Sequence, residues 1–185
     1  MTCARPEEEG IVQRREAEGQ KKMMPYARRF VRMFEVCMPH FGLMNERDLG
    51  PVKGPFQRAR LHIRGGKRRL RQAKISAGIV TLYDALLGAM ESYVNSPEHR
   101  GRLVIYQSDN LKDESTIYAV LIRSGVLDGS FDFESFERLM EKALNEEMPG
   151  YDYRDVLKGI EHVMTQLGVM PFDEADLPPE DPKTF

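Results

Sequence analysis

Apolar residues occupy almost every position between Ile75 and Val94, with no broad polar face. A helix that is apolar nearly all round has to be buried, so this segment is expected to be the central rod of a helical bundle. Ala77, Thr81, Ala85 and Ala89 recur at four-residue spacing and form a ridge of small side chains that another helix can approach closely. Larger side chains flank the ridge. Lys74, Gly78, Asp84, Gly88, Glu91 and Asn95 make up the remaining narrow stripe, expected to be the wet one.

The rest of the chain divides by the same pattern. From Lys21 to Met38, Met23, Tyr26, Phe30, Met33, Phe34 and Cys37 return every three or four residues, the signature of an amphipathic helix that Pro39 ends. Gly42 to Pro55 contains three Gly and two Pro and reads as a loop. Gly65-Gly66 is expected to interrupt or bend a helix, because each glycine costs about 1 kcal/mol against alanine. From Lys67 a single helix can run through Val94, closed by Ser96-Pro97. Leu103-Val104-Ile105-Tyr106 is a short β-branched run with no matching run elsewhere, and it reads as an extended connector. Asp113 or Ser115 caps a helix through Ile122, with Ile117, Tyr118, Leu121 and Ile122 facing inward. Asp132 caps the next, with Phe133, Phe136, Leu139, Met140 and Leu144 on its apolar face. After Pro149-Gly150, Asp152 with Asp155 resembles a capping pair for a helix carrying Val156, Leu157, Ile160, Val163, Met164 and Leu167, which Gly168 ends.

These elements predict an all-α fold, an up-and-down bundle of four or five helices around Ile75–Val94. A polar N-terminal extension (1–20) precedes the bundle domain (21–170), and an acidic, Pro-rich tail (171–185) follows it. A chain of 185 residues buries a sufficient core without staples, and Cys3 and Cys37 are not a disulfide framework. The run Ile79–Met90 is too short to span a bilayer and contains Asp84. With no apolar leader segment behind Glu7, Glu8 and Glu9, the expected location is cytoplasmic.

Charge changes the picture more than composition does. The formal net charge of −2 conceals 18 Lys+Arg against 8 Asp+Glu in residues 1–74, and the remaining 9 against 21 in residues 75–185. Asymmetry of this kind points to a polyanion-binding arm or to charge-complementary self-association. Its densest part lies between Asp48 and Asp84, where no acid occurs and Arg58, Arg60, Arg64, Lys67, Arg68, Arg69 and Arg71 crowd together with His62. Phosphates require such cations. Aromatic interleaving, which nucleic-acid grooves use for stacking, is limited to Phe56. The other reading is that the block meets the acidic second half, in the same chain or in a second copy.

Catalytic and metal patterns are not assembled in the sequence. His40, His62, His99 and His162 are scattered without metal-ligand spacing, so no metal or cofactor is expected. Asp128, Ser130 and Asp132 resemble the start of a calcium loop, but Phe133 holds the glycine position and Leu139 the glutamate position. Glu161-His162 would need a second histidine at position 166, where Gln166 stands. Asp113-Glu114 and Glu134, Glu137 and Glu141 could be paired acids, although their spacing suits a solvated helix face.

The stretch RLRQAKISAGIVTLYDALLGAMESYV, within residues 68–95, resembles the second long helix of the HEPN superfamily. The resemblance implies a small α-helical, often dimeric domain. Catalytic members are RNases with an arginine at a set short spacing before a histidine. Arg58 stands too close before His62 and Arg154 too far before His162, so the resemblance implies a non-catalytic member acting as a binding module. The expected function is therefore a non-enzymatic interaction or regulatory module that forms a homo-oligomer, such as a dimer, or binds a protein partner. The alternative is an RNA-binding helical protein that uses the basic block. An RNase-like enzyme using His62 or His99 is the third reading.

Overall fold

The computed structural model describes residues 46–179 of the chain. The expected extension (1–20), the helix Lys21–Met38, both cysteines and the end of the tail lie outside the described residues. Those described form an all-α fold, with helices α1 (Glu46–Arg71), α2 (Ile75–Asn95), the single turn α3 (Pro97–Arg100), α4 (Glu114–Arg123), α5 (Phe133–Asn145) and α6 (Arg154–Gln166), then a 3₁₀ turn at Glu174–Asp176. α2 packs against α1, α4, α5 and α6, as a central rod must.

Three expectations for the first helical pair are corrected. The segment Gly42–Pro55 is not a loop throughout, because α1 begins at Glu46. Its break falls at Gly50, whose φ of 76° is open to glycine and costly for other residues, and Pro51 restarts the helix. The first turn folds back so closely over Gly54 that a Cβ there would lie 2.6 Å from the Glu46 backbone oxygen. Gly65-Gly66, by contrast, neither interrupts nor bends the helix. A Cβ on Gly66 would stand 2.8 Å from Leu82 Cδ2, so this glycine serves close approach to α2. Nor do Lys67 to Val94 form one helix. The chain turns at Gln72–Lys74, where Ala73 adopts a φ of 59° and the Lys74 N–H donates to Arg69 O at 3.0 Å.

With so short a connection, α1 and α2 form an antiparallel hairpin. Leu70 meets Gly78 near the turn, Gly66 meets Leu82, and Pro55 meets Gly88 further out. The stripe read as wet is dry along its middle: Gly78, Asp84 and Gly88 are buried against α1, while Lys74 and Asn95 at its ends are exposed. The alanine ridge is not a continuous seam: Ala85 and Ala89 are buried and Thr81 accepts from Arg69 of α1, but Ala77 is exposed. Glycines on both helices allow a closer approach than alanine permits, and α1 takes the side that offers them.

The opposite side of α2 meets an aromatic cluster. Tyr83 stacks near Phe133 (6.1 Å between ring centroids) and meets Phe136 at a tilt (5.7 Å), and Tyr118 stacks on Phe133 at 4.8 Å. Its ends are held as the sequence suggests. Asp113 accepts from the Thr116 N–H at 2.8 Å to cap α4, and Asp132 accepts from the Ser135 N–H at 2.9 Å to cap α5. α6 departs from expectation. Tyr153 is its N-cap without a side-chain bond, and Asp152 accepts from the Arg154 N–H instead of pairing with Asp155. Ile122, expected inside, is exposed. Val169 and Leu177 are buried after α6, so the first part of the tail lies on the bundle.

Candidate functional site

The seven basic residues singled out by the sequence lie along α1, and only Arg71 among them is exposed. Spacing by three and four residues turns Arg58 and His62 toward α2, where Asp84 projects from the middle of the rod. His62 Nδ1 pairs with Asp84 Oδ2, and both residues are about 95% buried. Arg58 lies one turn away. Its Nε is 3.9 Å from Asp84 Oδ1, its Nη1 donates to Glu46 Oε1 at 3.0 Å, and its Nη2 pairs with Glu91. One guanidinium therefore bridges three carboxylates from two helices. Burial alone lowers the Arg58 pKa; Asp84, Glu91 and Glu46 outweigh it and hold the group above its ordinary value.

The other members of the block turn to different neighbours. Arg64 Nη2 donates to the Pro178 carbonyl at 2.8 Å, joining α1 to the start of the tail. Lys67 Nζ donates to Glu161 Oε1 of α6 at 2.6 Å. Arg69 Nη1 donates to Thr81 Oγ1 on α2. Arg60 stacks over Phe56 at 4.4 Å and Phe172 at 5.2 Å. Burial draws the guanidinium pKa of Arg64, Arg68 and Arg69 downward, the effect of leaving bulk water. Arg58, Arg60, Arg64, Lys67 and Arg69 thus reach to neighbours within the fold rather than forming one open cationic stripe, and Arg71 is the exposed member.

The chemistry open to this arrangement is limited by access. An aspartate that orients an imidazole beside an arginine is a familiar catalytic grouping, yet His62 is 4% exposed and Asp84 5%. The group works as an ionic clasp between helices. His99, the other histidine considered, stacks on Tyr93 with ring centroids 4.0 Å apart. His162 pairs with Asp128 at 2.7 Å on the surface, so Asp128 belongs to an ion pair and Asp132 to a helix cap.

A second polar cluster lies between α2, α4 and α5. Tyr83 Oη donates to Glu137 Oε1 at 3.2 Å, and Ser115 Oγ donates to Oε2 at 3.0 Å. Burial pushes the Glu137 carboxyl up, with Glu114 and Asp113 adding to it against the pull of those two hydrogen bonds. Glu114 is raised as well, first by burial and then by Asp113 and Glu91. Of the helix-face acids Glu134, Glu137 and Glu141, only Glu137 is withdrawn from solvent.

Sequence reading brought the basic residues together but missed Asp84, Glu46 and Glu91 as their partners. The available signal was Asp84 itself, the lone acid inside the buried core of α2. Among the described residues no group of His, Cys, Asp and Glu could hold a metal ion, and no helix is long and apolar enough to cross a membrane. The chain matches no known family model, no curated protein and no solved structure.

Proposed function

We propose that this chain is a non-enzymatic helical interaction module that self-associates or binds a protein partner. The observation that carries the reading is the inward engagement of the basic block. A phosphate backbone needs cations that can leave water for it and release its counterions. Here Arg58 serves Glu46, Asp84 and Glu91, Lys67 serves Glu161, and Arg64 serves a backbone carbonyl. Over residues 75–179 the exposed surface carries more acids than bases: Glu141, Glu146, Glu147, Asp155, Asp173 and Asp176 are exposed, interspersed with Arg138, Lys142, Arg154 and Lys158. Such a surface favours a basic protein surface by charge complementarity, which sets orientation and encounter rate more than affinity.

The HEPN resemblance enters this reading as a non-catalytic member. Its arginine and histidine on α1 would hold the hairpin together rather than cut RNA.

The competing reading is RNA binding through the same block, and one experiment separates them. Fluorescence anisotropy of a labelled single-stranded RNA is followed as protein and then salt are added. The expected result is no saturable binding at low salt. Affinity that falls steeply with log salt, and disappears when Lys67, Arg68, Arg69 and Arg71 become alanine, would overturn the proposal in favour of nucleic acid.

A further inference from the structure

The run Leu103–Tyr106 has a strand's character and no strand beside it among the described residues. Exposure alternates along it. Leu103 and Ile105 are half-buried, while Val104 and Tyr106 are 42% and 55% exposed, the two most exposed large hydrophobics among the described residues. The backbone alternates too. The Val104 N–H donates to Ser124 Oγ at 2.8 Å, and the Val104 carbonyl accepts from Arg123 Nε and Nη2 at 3.0 and 2.8 Å. Both bonds go to the C-terminal end of α4, so that edge is covered. In a strand the next residue's N–H and C=O leave on the other side. Those of Ile105 have no partner among the described residues, nor has the Leu103 carbonyl. One edge is therefore closed by a helix end and the other is open, with apolar side chains above it. Folded proteins rarely leave such an edge bare.

We infer that this open edge pairs antiparallel with the same segment of a second copy, about a two-fold axis at Ile105. Three observations converge on that occupant. In an antiparallel pair centred on Ile105, each Val104 stands opposite the partner copy's residue 106, a tyrosine. An aromatic facing a β-branched residue is among the favourable cross-strand pairs, and symmetry makes it twice. The hydrogen-bonded position at the centre is the one whose N–H and C=O are free. Charge selects the antiparallel sense. The flank before the run carries Arg100 and Arg102, and the flank after it carries Asp109, Asp113 and Glu114 with Lys112. Asp109 is held by Arg123, Glu114 is half-buried and Asp113 caps α4 yet stays exposed, so the open carboxylate on this flank is that of Asp113. Antiparallel pairing sets each basic flank against the other copy's acidic one, whereas parallel pairing would set like against like.

The inference rests on the self-association half of the proposed function and gives it a surface. Sedimentation equilibrium of the full chain over a concentration series tests both. The expected result is a reversible dimer whose Kd rises by about tenfold or more in Tyr106→Asp and in Ile105→Pro, the latter through loss of the central N–H. Both positions are outside the core, and far-UV circular dichroism confirms that each variant retains its helices. A mass-based readout is joined by hydrogen exchange. The Ile105 amide is expected to be slow at concentrations where the dimer forms and fast under dilution. A chain that is monomeric at every concentration would overturn the inference and the self-association it rests on. A dimer that both variants leave at its original Kd, with a fast Ile105 amide, would overturn this surface while leaving self-association standing.

Discussion

The two sides of α2 are held by different means, although Tyr83 and Asp84, which point to them, are neighbours in sequence. Toward α4 and α5 the rod presents Tyr83 to Phe133 and Phe136, an apolar contact whose polar tip is spent on Glu137. Toward α1 it presents glycines and Asp84 to Arg58 and His62, with helix backbones almost touching. An aromatic interface gains from area and tolerates small shifts of register. A buried ionic clasp gains little net energy, because removing the charges from water offsets their attraction, but it accepts only one alignment. The hairpin is thus fixed in register by charge and the outer helices are attached by apolar area.

The sharpest break of that comparison is Arg58→Met. It leaves Asp84 buried beside His62 without its bridging cation and abandons Glu46 and Glu91 as well. Urea unfolding is expected to show a loss of about 3–5 kcal/mol. The triple replacement Arg58→Met, His62→Leu, Asp84→Leu removes the stranded charges too, and should recover most of that loss. If the triple variant were as unstable as the single one, the clasp would be a source of net stability rather than of alignment.

A smaller effect is expected at the glycine contact. In a free helix Gly88→Ala would gain up to about 1 kcal/mol. Here the added Cβ would lie 2.8 Å from the Pro55 carbonyl oxygen and 3.3 Å from the Ala59 nitrogen. Both are backbone atoms that can yield only by moving α1, which would also pull Arg58 from its partners. A net loss of about 1–3 kcal/mol is expected. Gly101→Ala, with no neighbour within 4 Å and an ordinary φ of −68°, should fall within about 0.5 kcal/mol of the parent in the same urea unfolding. Equal effects at the two positions would mean that the hairpin has slack.

This contrast also explains what could be read from the chain. The aromatic side was legible, because Phe133, Phe136 and Met140 repeat at helical spacing and Asp132 marks the start of their helix. The hairpin side was not. Periodicity assigns Gly78, Asp84 and Gly88 to the polar face, and only the fold reveals that α1 brings its own polar residues to meet them. Gly65-Gly66 misled for the same reason: propensity counts the cost of glycine in a helix but not the room it makes for Leu82. Arg58 and His62 were visible as part of a basic block. Their partners Glu46, Asp84 and Glu91 lie up to 33 residues away, a distance no local pattern spans.

The finest test asks whether charge matters on the aromatic side at all, through the pH dependence of stability. Glu137 and Glu114 sit where burial, then neighbouring carboxylates, raise their pKa in the folded chain. A carboxyl raised in this way binds more protons folded than unfolded, so lowering the pH through its folded value stabilises the fold. That gain is complete once the pH falls below the ordinary carboxylate range of about 4. Asp128 and Asp132 have the opposite sign. Hydrogen bonds from His162 and Ser130 hold Asp128 low, and those from Ser135 hold Asp132 low. Their stabilisation is present above the unfolded value and is lost as acid titrates them in the folded state. Stability should therefore rise on mild acidification from neutrality and then fall in stronger acid. Glu137→Gln keeps the shape and still accepts from Tyr83, but nothing at that position titrates. Urea midpoints measured at a series of pH values should show the rise reduced in this variant and the acid-side fall unchanged. An unaltered rise would mean that Glu137 is as well solvated as an ordinary surface carboxylate, and that Glu114 alone carries the effect on this side.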